Sequence, residues 1–293
     1  MQLLKTTRPP FLLLAPACIL LGWATAARFG LAWSWLDAWM TLVGALAAHA
    51  AVNIINEYQD FHSGLDNNTQ RTPFSGGSGY LPAHPGAAKA VLGLGVAAVV
   101  LMLAVMGWFL WRTQLAVLPL VLAGLLLVLG YTRWLTRSAF FCLIAPGAGF
   151  GLLFVIGSHR VIGGNYAPEA LLLASVVFFL VNNLLLLNQF PDVEADRAAG
   201  RRHWLIRYGY QSGARVFFAQ TLAAYGTLLL GVLTGPLPPI ALAGLATAPL
   251  AFWCAHQVWR QAAQPEHLGK AMAANVAVNL LTPLLMAGAL VAG

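Results

Sequence analysis

The chain has 293 residues, of which 59% are hydrophobic and only 9% charged. Soluble globular proteins carry roughly 25% charged residues, so this composition excludes an ordinary water-soluble domain. The formal net charge is +7, but the basic residues are spread over short loops and mixed with acids, which argues against a nucleic-acid partner. We therefore expect an integral membrane protein.

Nine apolar runs are long enough to cross a bilayer, since a hydrocarbon core of about 30 Å needs roughly 20 helical residues. They cover residues 11–29, 38–57, 90–111, 114–132, 139–158, 168–190, 214–234, 239–259 and 271–292. The runs are rich in Leu and Ala and do not alternate, which favours helices over a barrel. The sequence predicts an all-α bundle of nine transmembrane helices, forming a single domain over residues 1–293.

The first run follows Lys5 and Arg8 and precedes Ala24-Thr25-Ala26, a pattern that a cleaved signal peptide could also show. We expect it to be a retained membrane helix.

The basic residues indicate the orientation of these helices, because Lys and Arg are enriched in cytoplasmic loops. With the N-terminus inside, the cytoplasmic set is Lys5, Arg8, Arg71, Lys89, Arg133, Arg137, Arg197, Arg201, Arg202, Arg207, Arg215, Arg260 and Lys270, and the outer set is Arg28, Arg112 and Arg160. This asymmetry predicts a multi-pass protein of the cell (inner) membrane, with a cytoplasmic N-terminus and a C-terminus outside.

Two acidic clusters fall on the same, cytoplasmic side. The first follows the second run and includes His49, Asn53, Asn56 and Asp60, whose steps of four, three and four place them on one helical face. Asp66 comes shortly afterwards. Polar side chains at this depth are costly unless they face a bundle interior or a wet cavity, so the stripe indicates a functional cavity.

The second cluster ends the sixth run. Asn188, Asp192 and Asp196 step by four and four, which predicts a shared helical face. Pro191 removes a backbone donor here and is expected to bend the helix. Solvated loop charges would explain either cluster alone, but matching Asn-x-x-x-Asp spacing on one side favours a joint site.

Carboxylate and amide oxygens are ligands that Mg²⁺ accepts, typically with one or two carboxylates and substrate phosphates. The predicted metal ligands are Asn56, Asp60, Asp66, Asn188, Asp192 and Asp196. The loop between the clusters contains Ser75, Gly76, Gly77 and Gly79, and its backbone N-H groups could form an anion-binding nest or simply turn the chain. Cations on this side that could neutralise a bound diphosphate are Arg71, Arg137, Arg201, Arg202 and Arg207.

The motifs resemble those of the UbiA superfamily of membrane prenyltransferases over essentially the whole chain. Asn56 and Asp60 match the start of the first aspartate-rich motif, while Gly64 and Asp66 resemble the variant in the menaquinone-pathway branch, which prenylates 1,4-dihydroxy-2-naphthoate. Asp192 and Asp196 match the second motif, and DRAAGRR resembles DRAAGKR of the same branch. Glu57 in place of aspartate, Pro191 and His203-Trp204 depart from that pattern.

This resemblance implies a nine-helix fold and a Mg²⁺-dependent transfer of an isoprenoid group from a prenyl diphosphate to a small aromatic acceptor. It assigns catalytic roles to Asp60, Asp66, Asp192 and Asp196, and a lipid-accessible apolar tunnel to the prenyl tail. His49, Asn53 and Tyr131 are placed by depth where an acceptor could bind, although a bundle histidine and an interfacial tyrosine explain two of them equally well. A terpene cyclase would use the same metal site.

A transporter is the alternative from another class, because polar residues inside helices also mark ion paths. That function predicts paired broken helices near the middle of the membrane. The acids here lie at helix ends on one side only, which favours a one-sided active site.

Overall fold

The computed structural model describes residues 2–28, 30, 34–69, 71–163 and 165–293. Over this part of the chain it contains helices and turns and no strand, which confirms the all-helical prediction. The first half comprises α1 (Pro9–Leu12), α2 (Leu14–Arg28), α3 (Trp35–His62), α4 (Leu65–Asn68), α5 (Tyr80–Ala83), α6 (Ala88–Arg112) and α7 (Leu118–Gly130). The second half comprises α8 (Ala139–Gly147), α9 (Gly157–Gly163), α10 (Pro168–Asn188), α11 (Val193–Ala198), α12 (Trp204–Tyr208), α13 (Tyr210–Leu233), α14 (Ala248–Gln261) and α15 (Gly269–Ala292).

Eight helical segments in the described residues are long and apolar enough to cross a membrane. They are Pro9–Arg28, Trp35–His62, Pro85–Arg112, Ala139–Gly163, Pro168–Asn188, Tyr210–Leu233, Pro239–Gln261 and Gly269–Ala292. Each corresponds to one of the predicted runs; Phe29, the last residue of the first run, lies outside the described residues. Their outward faces carry large apolar side chains, as expected for contact with lipid, and Trp111 and Leu233 are among the most exposed.

The fourth predicted run forms a shorter helix. α7 has 13 residues and is about 20 Å long, less than the hydrocarbon core. It starts late because Gln114 and Leu115 adopt positive φ angles of 48° and 68°, which an α-helix does not accept. The predicted start at residue 114 is therefore wrong by four residues.

The helices pack into one closed bundle. α3 packs mainly against α6, α10 against α13, and α15 against α2. The largest core cluster joins α2, α10, α13 and α15 through buried side chains such as Leu21, Leu180 and Leu228. The first and last membrane helices are thus neighbours.

The segment between α8 and α9 is unusual. Residues Ala148–Ile156 form a π-helix, so α8, this π-helix and α9 make one continuous rod. The N-H of Gly147 donates to Oδ1 of Asn182 on α10 at 2.7 Å. A Cβ on Gly147 would lie 2.3 Å from the carbonyl oxygen of Phe178, and one on Gly151 would lie 2.5 Å from that of Ala174. Glycines at these positions let the two helices touch backbone to backbone.

Candidate active site

One cavity of about 400 Å³ joins the two acidic clusters to the interior of the bundle. Its polar end is lined by Arg8, His49, Asn53, Asn56, Asp60, Asp66, Ser75, Tyr131, Asn188, Gln189, Asp192, Asp196, Arg201 and His203. From there an apolar shaft continues to Thr41, Phe109, Val117 and Val161. Asp60 and Thr41 both lie on α3, and their separation along the helix is about 28 Å. The cavity can therefore hold a charged head and a long apolar tail in one molecule.

The polar stripe of α3 is built as the spacing implies. His49, Asn53, Asn56 and Asp60 belong to one unbroken helix and all line the cavity. α3 starts at its N-cap Ser34, whose hydroxyl accepts the N-H of Asp37 at 3.2 Å. It continues until Ser63, and Gly64 turns the chain with a φ of 78°. This turn leads into α4, which carries Asp66.

The second cluster is built differently from the predicted continuous helix. α10 ends at Asn188, a turn follows, and α11 begins at Val193 with Asp192 as its N-cap residue. The physical reason is Pro191, which has no N-H to donate and cannot continue the helical ladder. The shared helical face predicted for the three residues is wrong, yet all three line the same cavity.

Arg201 connects the two clusters. Its Nη1 donates to Oδ1 of Asp196 at 2.8 Å, and its Nη2 donates to Oδ1 of Asp60. Burial disfavours the charged form of this guanidinium, but the charges of Asp60 and Asp196 outweigh that effect and raise the pKa of Arg201. Arg201 therefore remains a cation at the polar end of the cavity.

Both carboxylate oxygens of Asp60 accept hydrogen bonds, and Asp196 accepts one on Oδ1 and has a histidine close to Oδ2. Asn56 Nδ2 donates to Oδ2 of Asp60 at 2.8 Å. Nε2 of His203 lies 3.1 Å from Oδ2 of Asp196. Asn56 is oriented in turn by Thr132, whose hydroxyl donates to its Oδ1 at 3.0 Å. In this arrangement both acids hold Arg201 in place.

Asp66, Asp192 and Asn188 differ, because each has a buried side-chain oxygen with no hydrogen-bond partner: Oδ2 of Asp66, Oδ1 of Asp192 and Oδ1 of Asn188. Burial raises the pKa of Asp66 to about 7, with a further contribution from the charges of Asp60 and Glu57. Burial and the charge of Asp196 likewise raise the pKa of Asp192 to about 7. A bound cation would stabilise the charged form of both carboxylates and so lower both pKa values.

The free oxygens of Asp66, Asp192 and Asn188 fit a Mg²⁺ site in both their type and their number. No group of three His, Cys, Asp or Glu side chains in the described ranges converges closely enough to hold a metal ion by itself. Mg²⁺ needs fewer, since one or two carboxylates, substrate phosphates and water complete its shell. The elements that carry the free carboxylates, α4 and α11, pack against each other.

The glycine-rich loop closes this end of the cavity. Ser75, Gly76 and Gly77 line it, and Gly76, Gly77 and Gly79 have φ angles of 83°, 74° and 73°. A Cβ on Gly77 would lie 3.0 Å from Oδ1 of Asp66. The loop backbone is therefore packed directly on a carboxylate that has a free oxygen.

Four of the five predicted cationic ligands lie elsewhere. The exposed ones, which are absent from the cavity lining, are Arg71, Arg137, Arg202 and Arg207. Arg71 instead donates from Nη2 to the backbone carbonyl of Asp66 at 3.1 Å. The sequence places all of these arginines on the same side of the membrane as Arg201. It does not show which of them is buried in the cavity.

Arg8 is a further residue of the candidate site, although the sequence pattern indicated only its cytoplasmic position. It lines the cavity, its Nε is buried without a partner, and its backbone has a positive φ of 52°. Asn53 holds the preceding residue by donating from Nδ2 to the carbonyl of Thr7 at 2.9 Å. A cation directly before the first membrane helix is the sequence signal that could have identified it.

The residues predicted to contact the acceptor, His49, Asn53 and Tyr131, all line the cavity. His49 packs edge-on against Phe150 with ring centroids 4.7 Å apart, and its Nδ1 is buried without a partner. Tyr131 follows the C-terminus of α7 and lines the cavity beside Cys142 and Gln189. His203 also lines it, whereas the sequence pattern indicated only that His203 departs from the motif.

Comparisons with known proteins agree with this architecture. The family model described as "UbiA prenyltransferase family" matches residues 13–291. A 2-carboxy-1,4-naphthoquinone phytyltransferase of Synechocystis is 26% identical over 97% of this chain and 91% of its own length. A 1,4-dihydroxy-2-naphthoate octaprenyltransferase of Bacillus subtilis is also 26% identical, over 68% of this chain and 63% of its own.

Among solved structures, a UbiA homolog from Archaeoglobus fulgidus bound to DMAPP and Mg²⁺ superposes with a TM-score of 0.64. It is 17% identical, and the match covers 97% of this chain and 99% of that one. The matched fold, the nearly complete family match and the two acidic clusters on one cavity lead to one conclusion. The chain belongs to the UbiA prenyltransferase family.

Proposed function

We propose that this protein transfers the prenyl group of a prenyl diphosphate to an aromatic quinone precursor, with 1,4-dihydroxy-2-naphthoate as the first acceptor to test. The observation that carries the proposal is a cavity in which unpaired carboxylate oxygens lie at the polar end of a long apolar shaft. The two naphthoquinone-pathway relatives support the choice of acceptor. The structural relative bound to DMAPP and Mg²⁺ supports the choice of donor.

Asp66, Asp192 and Asn188 have free oxygens and are the residues that would hold Mg²⁺ first. Asp60, Asp196 and Asn56 complete the predicted ligand set, either directly or by holding Arg201. When bound, Mg²⁺ would stabilise the negative charge that develops on the diphosphate as it leaves.

Arg201 and Arg8 contribute positive charge that does not depend on metal. Arg201 is fixed between Asp60 and Asp196, and Arg8 lines the same end. In the reaction the C-O bond of the prenyl diphosphate breaks and its electron pair leaves with the diphosphate. Both guanidinium groups would stabilise that anion through charge-assisted hydrogen bonds.

The apolar shaft would bind the tail and exclude water from the allylic cation. An electron-rich ring carbon of the acceptor supplies the pair for the new C-C bond, and loss of a proton, or of a carboxyl group as CO₂, restores aromaticity. His49, Asn53 and Tyr131 line the region next to the charged end and are the proposed acceptor contacts. The basic loops support a cytoplasmic location for this end.

The test is product mass after incubation of purified protein with Mg²⁺, farnesyl or geranylgeranyl diphosphate, and dihydroxynaphthoate, 4-hydroxybenzoate, homogentisate or no acceptor. A prenylated naphthalene product that disappears in Asp66→Asn and Asp192→Asn, but not in the exposed control Glu194→Gln, supports the proposal. A prenylated product from another acceptor would identify a different substrate for the same prenyl-transfer reaction. A cyclised hydrocarbon formed without acceptor, or intact diphosphate in every reaction, would contradict it.

A further inference from the structure

Glu57 is a buried carboxylate that the reaction itself does not use. It follows Asn56 on α3, and a step of about 100° along a helix turns its side chain away from the polar stripe. Glu57 is fully buried and absent from the cavity lining. A buried charge is expensive unless its oxygens are satisfied, so its partners indicate its role.

Both carboxylate oxygens of Glu57 are taken by Ser78 in the glycine-rich loop. The N-H of Ser78 donates to Oε2 at 2.9 Å, and its hydroxyl donates to Oε1. The same hydroxyl accepts the N-H of Tyr80 at 3.1 Å, at the start of α5. Nη2 of Arg8 lies farther away, 4.0 Å from Oε2. Glu57 thus fixes the loop at one residue, through its backbone and its side chain.

That residue lies between two glycines with positive φ angles, Gly77 and Gly79. Gly77 packs against Asp66 so closely that even a Cβ would lie 3.0 Å from Oδ1 and 3.3 Å from Oδ2. A glycine backbone can adopt many φ and ψ angles unless hydrogen bonds or packing restrict it. The hydrogen bonds from Ser78 to Glu57 therefore hold Gly77 in its position next to the Asp66 carboxylate.

We propose that Glu57 is a positioning residue that sets the Asp66 carboxylate for metal binding by holding Ser78 and, through it, Gly77. This inference rests on the proposed function and deepens it. It also gives a reason for glutamate at this position: aspartate is shorter by one methylene group and could not reach both donors of Ser78 from α3. Outer partners of this kind typically change metal affinity about 10–100-fold when removed.

The experiment measures metal binding separately from catalysis. Thermal stabilisation of the purified protein by Mg²⁺ with inorganic pyrophosphate as probe gives an apparent metal affinity, and product formation against Mg²⁺ concentration gives a second one. Glu57→Gln, Glu57→Asp and Ser78→Ala are compared with the exposed control Glu194→Gln. We expect the three loop variants to need roughly 10-fold more Mg²⁺ in both assays, with turnover largely restored at saturating Mg²⁺.

The double variant Glu57→Gln/Ser78→Ala should resemble the single variants, because both break the same link. Gly77→Ala tests the same contact with Glu57 intact and should also raise the Mg²⁺ requirement. An unchanged Mg²⁺ requirement in Glu57→Gln and Ser78→Ala would overturn the inference, and so would wild-type protein that Mg²⁺ and pyrophosphate do not stabilise. If every loop variant is unfolded, Glu57 is a structural residue and the inference is wrong. Wild type that binds metal but forms no product would contradict only the proposed function.

Discussion

Arg201 donates hydrogen bonds to Asp60 and Asp196 and so ties the end of α3 to the segment that follows α10. This pairing is buried, with the Arg201 side chain 19% exposed and that of Asp60 8%. Removing one member of a buried ion pair leaves the other charge without compensation, which costs about 3–5 kcal/mol in typical cases. Arg201 is therefore both a candidate ligand and a structural link.

Replacing Arg201 with glutamine should lower the thermal midpoint of the metal-free protein and reduce product formation at least 100-fold. Arg201→Lys should recover part of the stability, because it keeps the charge but not the two-armed geometry. Differential scanning fluorimetry and product mass measure the two effects. Wild-type stability in Arg201→Gln would show that the bridge contributes nothing. Arg202→Gln, an exposed neighbour, is the matched control.

The raised pKa values of Asp66 and Asp192 predict how stability depends on pH without metal. Both carboxyl groups have folded pKa values of about 7, against an ordinary value of 3.8. The folded state thus binds protons more tightly than the unfolded state, so stability falls as pH rises between about 4 and 7. In EDTA, thermal midpoints measured from pH 5 to pH 8 should decline, and Asp66→Asn or Asp192→Asn should reduce that decline. Glu194→Gln should follow wild type, and equal slopes in all four proteins would contradict the assignment.

The backbone contact between the π-helical rod and α10 predicts a sharp steric effect. Gly147→Ala would place a Cβ 2.3 Å from the carbonyl oxygen of Phe178, while Gly107, near the C-terminal end of α6, has open space around it. We expect Gly147→Ala to destabilise the protein by roughly 1–3 kcal/mol or to prevent its accumulation. Gly107→Ala should behave like wild type. Thermal midpoints in detergent provide the comparison, and similar midpoints would mean that the helices separate freely.

The depth of the shaft predicts selectivity for the prenyl chain. Gly157 lines its far half, and the nearest atom to a Cβ built there is a Leu120 methyl carbon at 4.0 Å. A Gly157→Phe side chain would fill this space, so kcat/KM should fall much more for geranylgeranyl than for geranyl diphosphate. Gly107→Phe, whose surroundings are open, controls for added bulk. Equal losses for both substrates would place the tail elsewhere.

The polar lining of the cavity could be predicted from the sequence, because polarity inside a membrane helix is rare and has few explanations. The stripe on α3 lines the cavity because an uninterrupted helix keeps its period of 3.6 residues. The helix break at Pro191 was underestimated, since a spacing of four residues has meaning only while the helix continues. Asp192 still reaches the cavity because the turn brings it back to the same side.

The cations of the site were harder to predict, because the side of the membrane on which an arginine lies does not show whether its side chain is buried. Arg201 and Arg202 are adjacent in sequence, yet one lines the cavity and the other is exposed. Arg8 enters the site through the Asn53 contact to Thr7, a pairing between distant segments that no local pattern encodes. Glu57 was visible in the motif, but its bonds to Ser78 depend on how the loop folds back.

The contact between α2 and α15 also constrains how the protein is made. Ribosomes extend a chain at about 5–20 residues per second, so roughly 12–50 s separate the synthesis of these two helices. During that interval one face of α2 has no final partner and must be covered by lipid, by another helix or by the insertion machinery. The part of the cavity lining formed by Arg8 and the start of the first membrane helix is among the first parts of the protein to be synthesised. The bundle around it is complete only after α15 has been made.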